Sequence, residues 1–361
     1  MSDPIDWLQL MQLPLTRHQK RKLIAQFNSV NELFDSKEAW QFIRQHCSVH
    51  DKPLARAEQY RAEAERLLSQ ITQLGWQLTS QDLQSFPARL RDIPDPPMTL
   101  FYKGDLSAVS EPQLSIVGSR KATPLGLTIA ERFAKHLSNW GVGIVSGLAL
   151  GIDAAAHEGA LQGRSPTSAV LANGPGPVYP RRHSVLAQRI VEQGGVLITE
   201  NPPSRELESW RFPERNRLIA GLSLGTLVVE ASTKSGSLVT AKLALNQGSE
   251  VFAVPGALSN PQSKGCHQLI REGALLVESP DDILNALYQP LRDIRDAGVD
   301  ASKVSAPEHP ILRLLLSGGM TLDELALTSG KAVNDIQAEL AKFELEGHIA
   351  RQAGRYFYSS T

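Results

Sequence analysis

The chain has 361 residues, 42% hydrophobic and 21% charged, too long for one ordinary domain and too apolar for a disordered one. Its 37 Lys+Arg against 38 Asp+Glu exclude polyanion binding by bulk charge, so any such binding must come from a local cluster. Cys47 and Cys266 have no CxxC or metal-ligand spacing, the N-terminus has no secretion pattern, and no apolar run approaches the roughly 20 residues that span a bilayer, so a soluble, cytoplasmic protein is expected.

Residues 1–80 read as a small helical domain. Thr16 can cap RHQKRKLIAQF, Ser29 and Glu32 have capping-box spacing, and residues 51–74 form one continuous helical pattern. A proline-rich connector follows, from Phe86 through Pro94, Pro96 and Pro97, and reads as extended with a short strand over Thr99–Lys103. From Leu114 the apolar runs LSIVG, GIVSG, SAVLANG, VLITE, TLVVEA, EVFAVPG and LLVES alternate with amphipathic helices. Near-continuous apolar strands separated by helices predict a doubly wound, mostly parallel α/β sheet, a Rossmann-like domain that occupies 81–291 with its connector.

Residues 292–308 lose periodicity and read as a linker. The last segment, 309–361, predicts helices at His309–Leu316, Leu322–Thr328 and Ala332–Glu346, with a Thr321/Glu324 capping box and an apolar stripe of Val333, Ile336, Leu340 and Phe343. A hairpin of Ile349–Arg351 and Tyr356–Tyr358, turning at Gly354, completes a winged-helix pattern. Its five basic and six acidic residues suit protein contact better than a grip on duplex DNA.

In a doubly wound sheet, ligands sit at the carboxyl ends of the strands, where free N–H groups at helix starts hold anions. Gly118-Ser119-Arg120 follows the first strand: glycine permits close approach, serine donates a hydrogen bond and arginine grips phosphate, unless this is a plain turn. Gly147 lies in SGLALGID, where Asp153 serves equally as a local cap. Asn173-Gly174-Pro175-Gly176 leads into Tyr179-Pro180-Arg181-Arg182-His183, a backbone grip beside a stacking face or else a solvated loop.

The segment Trp210 to Arg217 interleaves aromatics with arginines, which neutralise phosphate while a ring receives an unstacked base. The competing reading puts Phe212 in the core and pairs an arginine with Glu214 or Glu230. Ser235-Gly236-Ser237 opens the next helix, and Lys264 is counted on the same rim. The candidate DNA-contact set is thus Gly118, Ser119, Arg120, Gly147, Asn173, Gly174, Arg181, Arg182, Phe212, Arg215, Asn216, Arg217, Ser235, Gly236, Ser237 and Lys264.

No G-x-S-x-G elbow, Walker loop or HExxH occurs, and His157, on an alanine-rich helix, reads as packed. No catalytic residue, metal or cofactor is expected.

Taken in order, VGSR, SGLALGID, AVLANG with YPRRH, FPERNRLIAGLS, VVEA with SGSLVTA, VPG and GCHQLIREGA resemble the motif series of the DprA/Smf family. The helical start is similar to that family's sterile-alpha-motif-like domain and the tail to its winged helix. This resemblance implies an extended Rossmann fold with a basic pocket for single-stranded DNA, a homodimer made through that domain, and delivery of a RecA-type recombinase during natural transformation. It carries DNA contact onto Arg120, Arg181, Phe212, Arg215 and Asn216. Three positions depart from the pattern: Leu150 stands where Arg or Lys is usual, Ala172 for Gly, and His267 for Asn. The alternative is a nucleotide-processing enzyme similar to the Lonely Guy phosphoribohydrolases, with Glu230 ahead of SGSLVT as a loose echo of their Gly-rich motif and glutamate.

Overall fold

A computed structural model describes residues 3–27, 29–46, 53–110, 112–203, 208–287, 309–316, 320–345, 349–352 and 355–358. Two compact units emerge, Met1–Arg292 and Asp293–Thr361. Cys47, the predicted linker 292–308 and the turn at Gly354 lie outside the described residues.

The first unit opens with helices α1 (Pro4–Gln12), α2 (Arg17–Ile24), α3 (Val30–Asp35), α4 (Lys37–His46) and α5 (Pro53–Gln73). Thr16 and Gln19 form a reciprocal capping box that starts α2. At α3 the expected box is absent: Ser29 occupies the cap position, but its side chain makes no capping bond. Trp7, Leu10, Leu23, Leu33, Trp40 and Ile43 form the helical core. Leu8 of α1 points elsewhere and joins Ala64 and Ile71 of α5 against Trp76, Phe101 and Leu197, so the helices share a core with the sheet that follows.

That sheet has nine strands in the order β1-β2-β6-β5-β4-β3-β7-β8-β9. They are β1 (Gln77–Ser80), β2 (Thr99–Gly104), β3 (Gln113–Val117), β4 (Gly143–Ser146), β5 (Thr167–Val170), β6 (Val196–Thr199), β7 (Gly225–Val228), β8 (Glu250–Ala253) and β9 (Leu275–Leu276). Strands β3 to β9 run parallel to their neighbours, and β1 and β2 add antiparallel pairs at one side. β1 falls where a purely helical segment is expected: Gly75, at φ +72°, ends α5, and the chain then pairs Gln77 with Tyr102. A short helix α6 (Ala88–Arg91) also interrupts the connector read as extended.

Helices cover both faces: α7 (Pro124–Asn139), α8 (Ile152–Ala160), α9 (Ser184–Glu192), α10 (Arg211–Leu222), α11 (Gly236–Asn246), α12 (Lys264–Arg271) and α13 (Pro280–Ala286). Every residue of β3 to β7 is buried, which is why those strands read as unbroken apolar runs. Among the described residues no helix is long and apolar enough to cross a membrane.

In the second unit, α14 (Pro310–Leu316), α15 (Leu322–Ser329) and α16 (Val333–Leu345) accompany β10 (Met320–Thr321), β11 (Ile349–Gln352) and β12 (Arg355–Tyr358), ordered β10-β12-β11. The Thr321/Glu324 box closes at 2.8 and 3.2 Å. Ile336, Leu340 and Phe343 pack with Ile311, Leu325 and Tyr356, whereas Val333, the first residue of α16, is 42% exposed and leaves the expected stripe.

Candidate nucleic-acid interface

β3 is the switch point of the sheet: the chain winds outward through β4, β5 and β6 on one side and returns to β7 on the other. A crevice opens beyond the carboxyl ends of strands at such a point. Here it is a cleft of about 620 Å³, lined after β3 by Gly118, Ser119, Arg120 and Lys121, after β7 by Ser232, Ser235, Gly236 and Ser237, and from α10 by Phe212, Arg215 and Asn216.

The floor is built by close approach. A Cβ on Gly118 would stand 2.6 Å from the Ile152 side chain and 2.9 Å from the Glu230 carbonyl, so only glycine lets β3 end this near α8. Ser119 N–H donates to the Glu230 carbonyl at 2.7 Å, and Ser119 Oγ accepts from Lys121 N–H at 3.0 Å, which turns Arg120 outward. Glu230 itself is committed. Its carboxylate accepts from Thr123 N–H at 2.8 Å and Thr123 Oγ1 at 2.6 Å, the residue that caps α7.

Arg215 lies beneath the mouth of the cleft. It is buried, and one guanidinium nitrogen donates to the carbonyls of Gly147, at 2.8 Å, and Val170. A Cβ on Gly147 would come within 2.6 Å of the guanidinium carbon, so this glycine makes room for that arginine. Burial pulls the Arg215 pKa down to about 10, against the pull of Asp153, which leaves it charged at neutral pH. Asp153 accepts from the N–H groups of Gly147 and Ala149 at 3.1 and 3.4 Å, holding the loop after β4 in place. Desolvation raises its carboxyl, while Arg215 and those N–H groups oppose the rise.

At the rim, the Arg120 guanidinium carbon lies 5.1 Å from the centre of the Phe212 ring, and Tyr179 meets that ring edge-on at 5.7 Å. Arg120 and Tyr179 are exposed and Phe212 half-buried, so the cation and the tyrosine ring face solvent with the phenylalanine between cleft and surface. His183 Nδ1 bonds the Leu148 carbonyl at 2.8 Å, tying the turn that carries Arg181 and Arg182 to the loop after β4. Asn216 reaches the Gly236 carbonyl at 3.5 Å, and Ser235 and Ser237 hydroxyls lie 2.7 Å apart at the start of α11.

Nine of the candidates therefore line one cleft, with Gly147 directly behind it. Arg181 and Arg182 are exposed on the adjoining turn, outside the lining. Asn173 bonds its own loop at Gly174 and Pro177, and Gly174 is packed against Pro202. Lys264 is exposed at the start of α12, away from the lining.

Arg217 is not brought to the rim. Its guanidinium is buried against Glu200 and lies 3.2 Å from Asp95, where Arg17 of α2 also arrives. Desolvation raises the Glu200 carboxyl, and Arg217 and Arg17 counter it. The pairing expected with Glu214 or Glu230 is thus made with Glu200, a strand-end residue that local spacing does not single out. Lys121, Ser209, Val239 and Gln262 line the cleft without having been singled out either. Lys121 alone had a legible signal, being the second cation after GSR.

His157 is fully buried, with Nδ1 2.8 Å from Thr167 Oγ1. Thr167 donates its own proton to the Ile144 carbonyl, so the histidine donates through Nδ1 and stays neutral.

Residues 77–288 match the family model described as DNA recombination-mediator protein A, and residues 295–355 match the DprA winged helix domain. Protein Smf of Escherichia coli (strain K12) is 41% identical over 302 residues, 82% of this chain and 81% of that protein. The DNA processing protein DprA of Bacillus subtilis (strain 168) is 39% identical, over 64% of this chain and 77% of its own length. Among solved structures, DNA processing protein A from Streptococcus pneumoniae superimposes with a TM-score of 0.67 at 34% identity, covering 79% of this chain and 98% of that one. The Helicobacter pylori protein, whose structure is described in terms of its single-stranded DNA binding mode, gives 0.54 at 29% identity over 60% of this chain and 98% of its own.

Proposed function

The chain belongs to the DNA recombination-mediator protein A family, and on that premise we propose that it binds single-stranded DNA in the cleft between β3 and β7 and passes the strand to a RecA-type recombinase. The observation that supports this most is Arg120 over the half-buried Phe212 ring, beside the exposed Tyr179, at a glycine-lined helix start. Guanidinium and N–H groups neutralise phosphates, and the aromatic pair gives a stacking surface for a base that only a single strand can offer. Gel-shift comparison of single-stranded and duplex oligonucleotides at two salt concentrations tests this. Binding that prefers single strands and weakens with salt is expected; equal affinity for blunt duplex would overturn it.

The recombinase step and its place in natural transformation, in the cytoplasm, rest on the family. They are tested by whether the protein speeds recombinase filament growth on strands already coated by a single-strand-binding protein. A homodimer through the sheet domain is part of the same reading. Strand β9 is a two-residue edge whose Leu275 and Leu276 are 44% and 48% exposed, an apolar margin that a second copy would cover. Light scattering should give twice the chain mass for the unaltered protein and a monomer for Leu276→Glu.

The winged-helix unit serves protein contact in this account. Truncation after Pro307 should leave DNA affinity in place.

A further inference from the structure

Beside the main cleft lies a second, smaller one of about 250 Å³, and the two share Ser235 and Val239. It runs along α11 toward α12. Lys234 stands just before the α11 cap Ser235, and Lys242 lies eight residues further on the same helix. Leu238 and Lys242 lie four residues apart on one face of α11, and Lys234, before the helix cap, lines the same groove. Leu238 and Leu269 form a buried apolar floor, Val239 is 41% exposed at the border with the main cleft, and both lysines are exposed. Neither lysine has a carboxylate within ion-pairing distance among the described residues, although Glu272 of α12 lines the same groove.

We propose that this groove is a second subsite, which takes the phosphate backbone of the strand as it leaves the main cleft over Ser235. The inference rests on the reading of the main cleft as a single-strand site. Continuity decides the occupant: a ligand filling the main cleft and extending past the α11 start meets Lys234 first and Lys242 second. Charge complementarity agrees, since two unneutralised cations spaced along an apolar floor match a polyanion with bases attached. Lysine suits a mobile phosphate track because its ammonium is a compact point charge on a flexible stem, without the fixed fork of arginine. Among the described residues that line the groove, Glu272 is the one opposing charge.

The test is a salt titration of strand affinity with oligonucleotides of increasing length, using the full chain and its K234A/K242A variant. Each phosphate neutralised on a single strand contributes about 0.7 to the slope of log affinity against log salt. For long oligonucleotides the double variant should therefore lose about 1.4 from that slope. For oligonucleotides short enough to fill only the main cleft, the two proteins should bind alike. Glu272→Gln, which leaves the lysines in place, should tighten binding of long strands and not of short ones. An unchanged slope in the double variant, or an equal loss at every length, overturns the subsite while leaving the main cleft standing. If the unaltered chain binds no strand at any length, both readings fall together.

Discussion

Arg17 Nη2 stands 3.3 Å from Glu200 Oε2, joining helix α2 near the start of the chain to the residue that follows β6. The same guanidinium reaches Asp95 and lies 3.7 Å from Glu214, the α10 residue between Pro213 and Arg215 of the cleft lining. The helices at the start of the chain thus brace, from behind, the helix that presents Phe212. Replacing Arg17 by Met should cost about 1–3 kcal/mol in denaturant unfolding, less than breaking a fully isolated buried pair because Arg217 still faces Glu200. Strand affinity should also fall several-fold, since Glu214 is left unneutralised beside a polyanion. No change in either would mean that the network is an idle surface pairing.

Glu230 separates binding from catalysis. Its carboxylate is consumed in holding Thr123 at the start of α7, so Glu230→Gln should lower stability by about 1–2 kcal/mol through weaker charge-assisted bonds. Nucleoside monophosphates incubated with either protein should release no free base. Release by the unaltered chain, lost in the variant, would restore the phosphoribohydrolase reading.

Gly147→Ala should behave as a mild version of Arg215→Ala. The added methyl meets a guanidinium that is already fixed by two carbonyls and has little room to retreat. We expect about 1–3 kcal/mol of destabilisation together with weaker strand binding. Full affinity in a folded Gly147→Ala protein would remove Arg215 from the account.

His157 gives the protein an acid sensitivity with a defined sign. Burial lowers its pKa from 6.5 to about 3, with His183 and Arg215 acting in the same direction. Between those values the unfolded chain binds a proton that the folded chain refuses. Stability is therefore fully present above 6.5 and declines as pH falls, by about 1.4 kcal/mol per unit. Asp153 and Glu200, whose carboxyls are raised, contribute in the opposite direction, so the difference between the unaltered protein and His157→Gln isolates the histidine. That difference should shrink from pH 7.5 to pH 5 by about 2 kcal/mol in denaturant unfolding. A constant difference would contradict the assignment.

Most of the fold could be read from the chain because its parallel strands are buried on both faces, and burial writes itself as LSIV, GIVS and TLVV. β1 was hidden because a four-residue antiparallel strand owes its existence to Tyr102 and its neighbours across the ladder. In the candidate site, adjacency did the work for Gly118 to Arg120 and Ser235 to Ser237, each bound to a strand end. It failed for Arg217, two residues beyond Arg215 on α10, because the helix turns Arg215 to the cleft and Arg217 toward Glu200. Nothing local to Arg217 announces a carboxylate on another strand or an arginine on α2.

The central claim is that Arg120 and Phe212 grip one strand by two different forces. Fluorescence anisotropy on a single-stranded oligonucleotide, for the unaltered chain, Arg120→Ala, Phe212→Ala and the double variant over a range of salt, tests it most directly. Arg120→Ala should reduce the salt slope by about 0.7, whereas Phe212→Ala should weaken binding by about 1–3 kcal/mol with the slope preserved. The double variant should lose less than the sum, because the cation and the ring also support each other. Variants that bind as tightly as the unaltered chain, with identical slopes, would contradict the account.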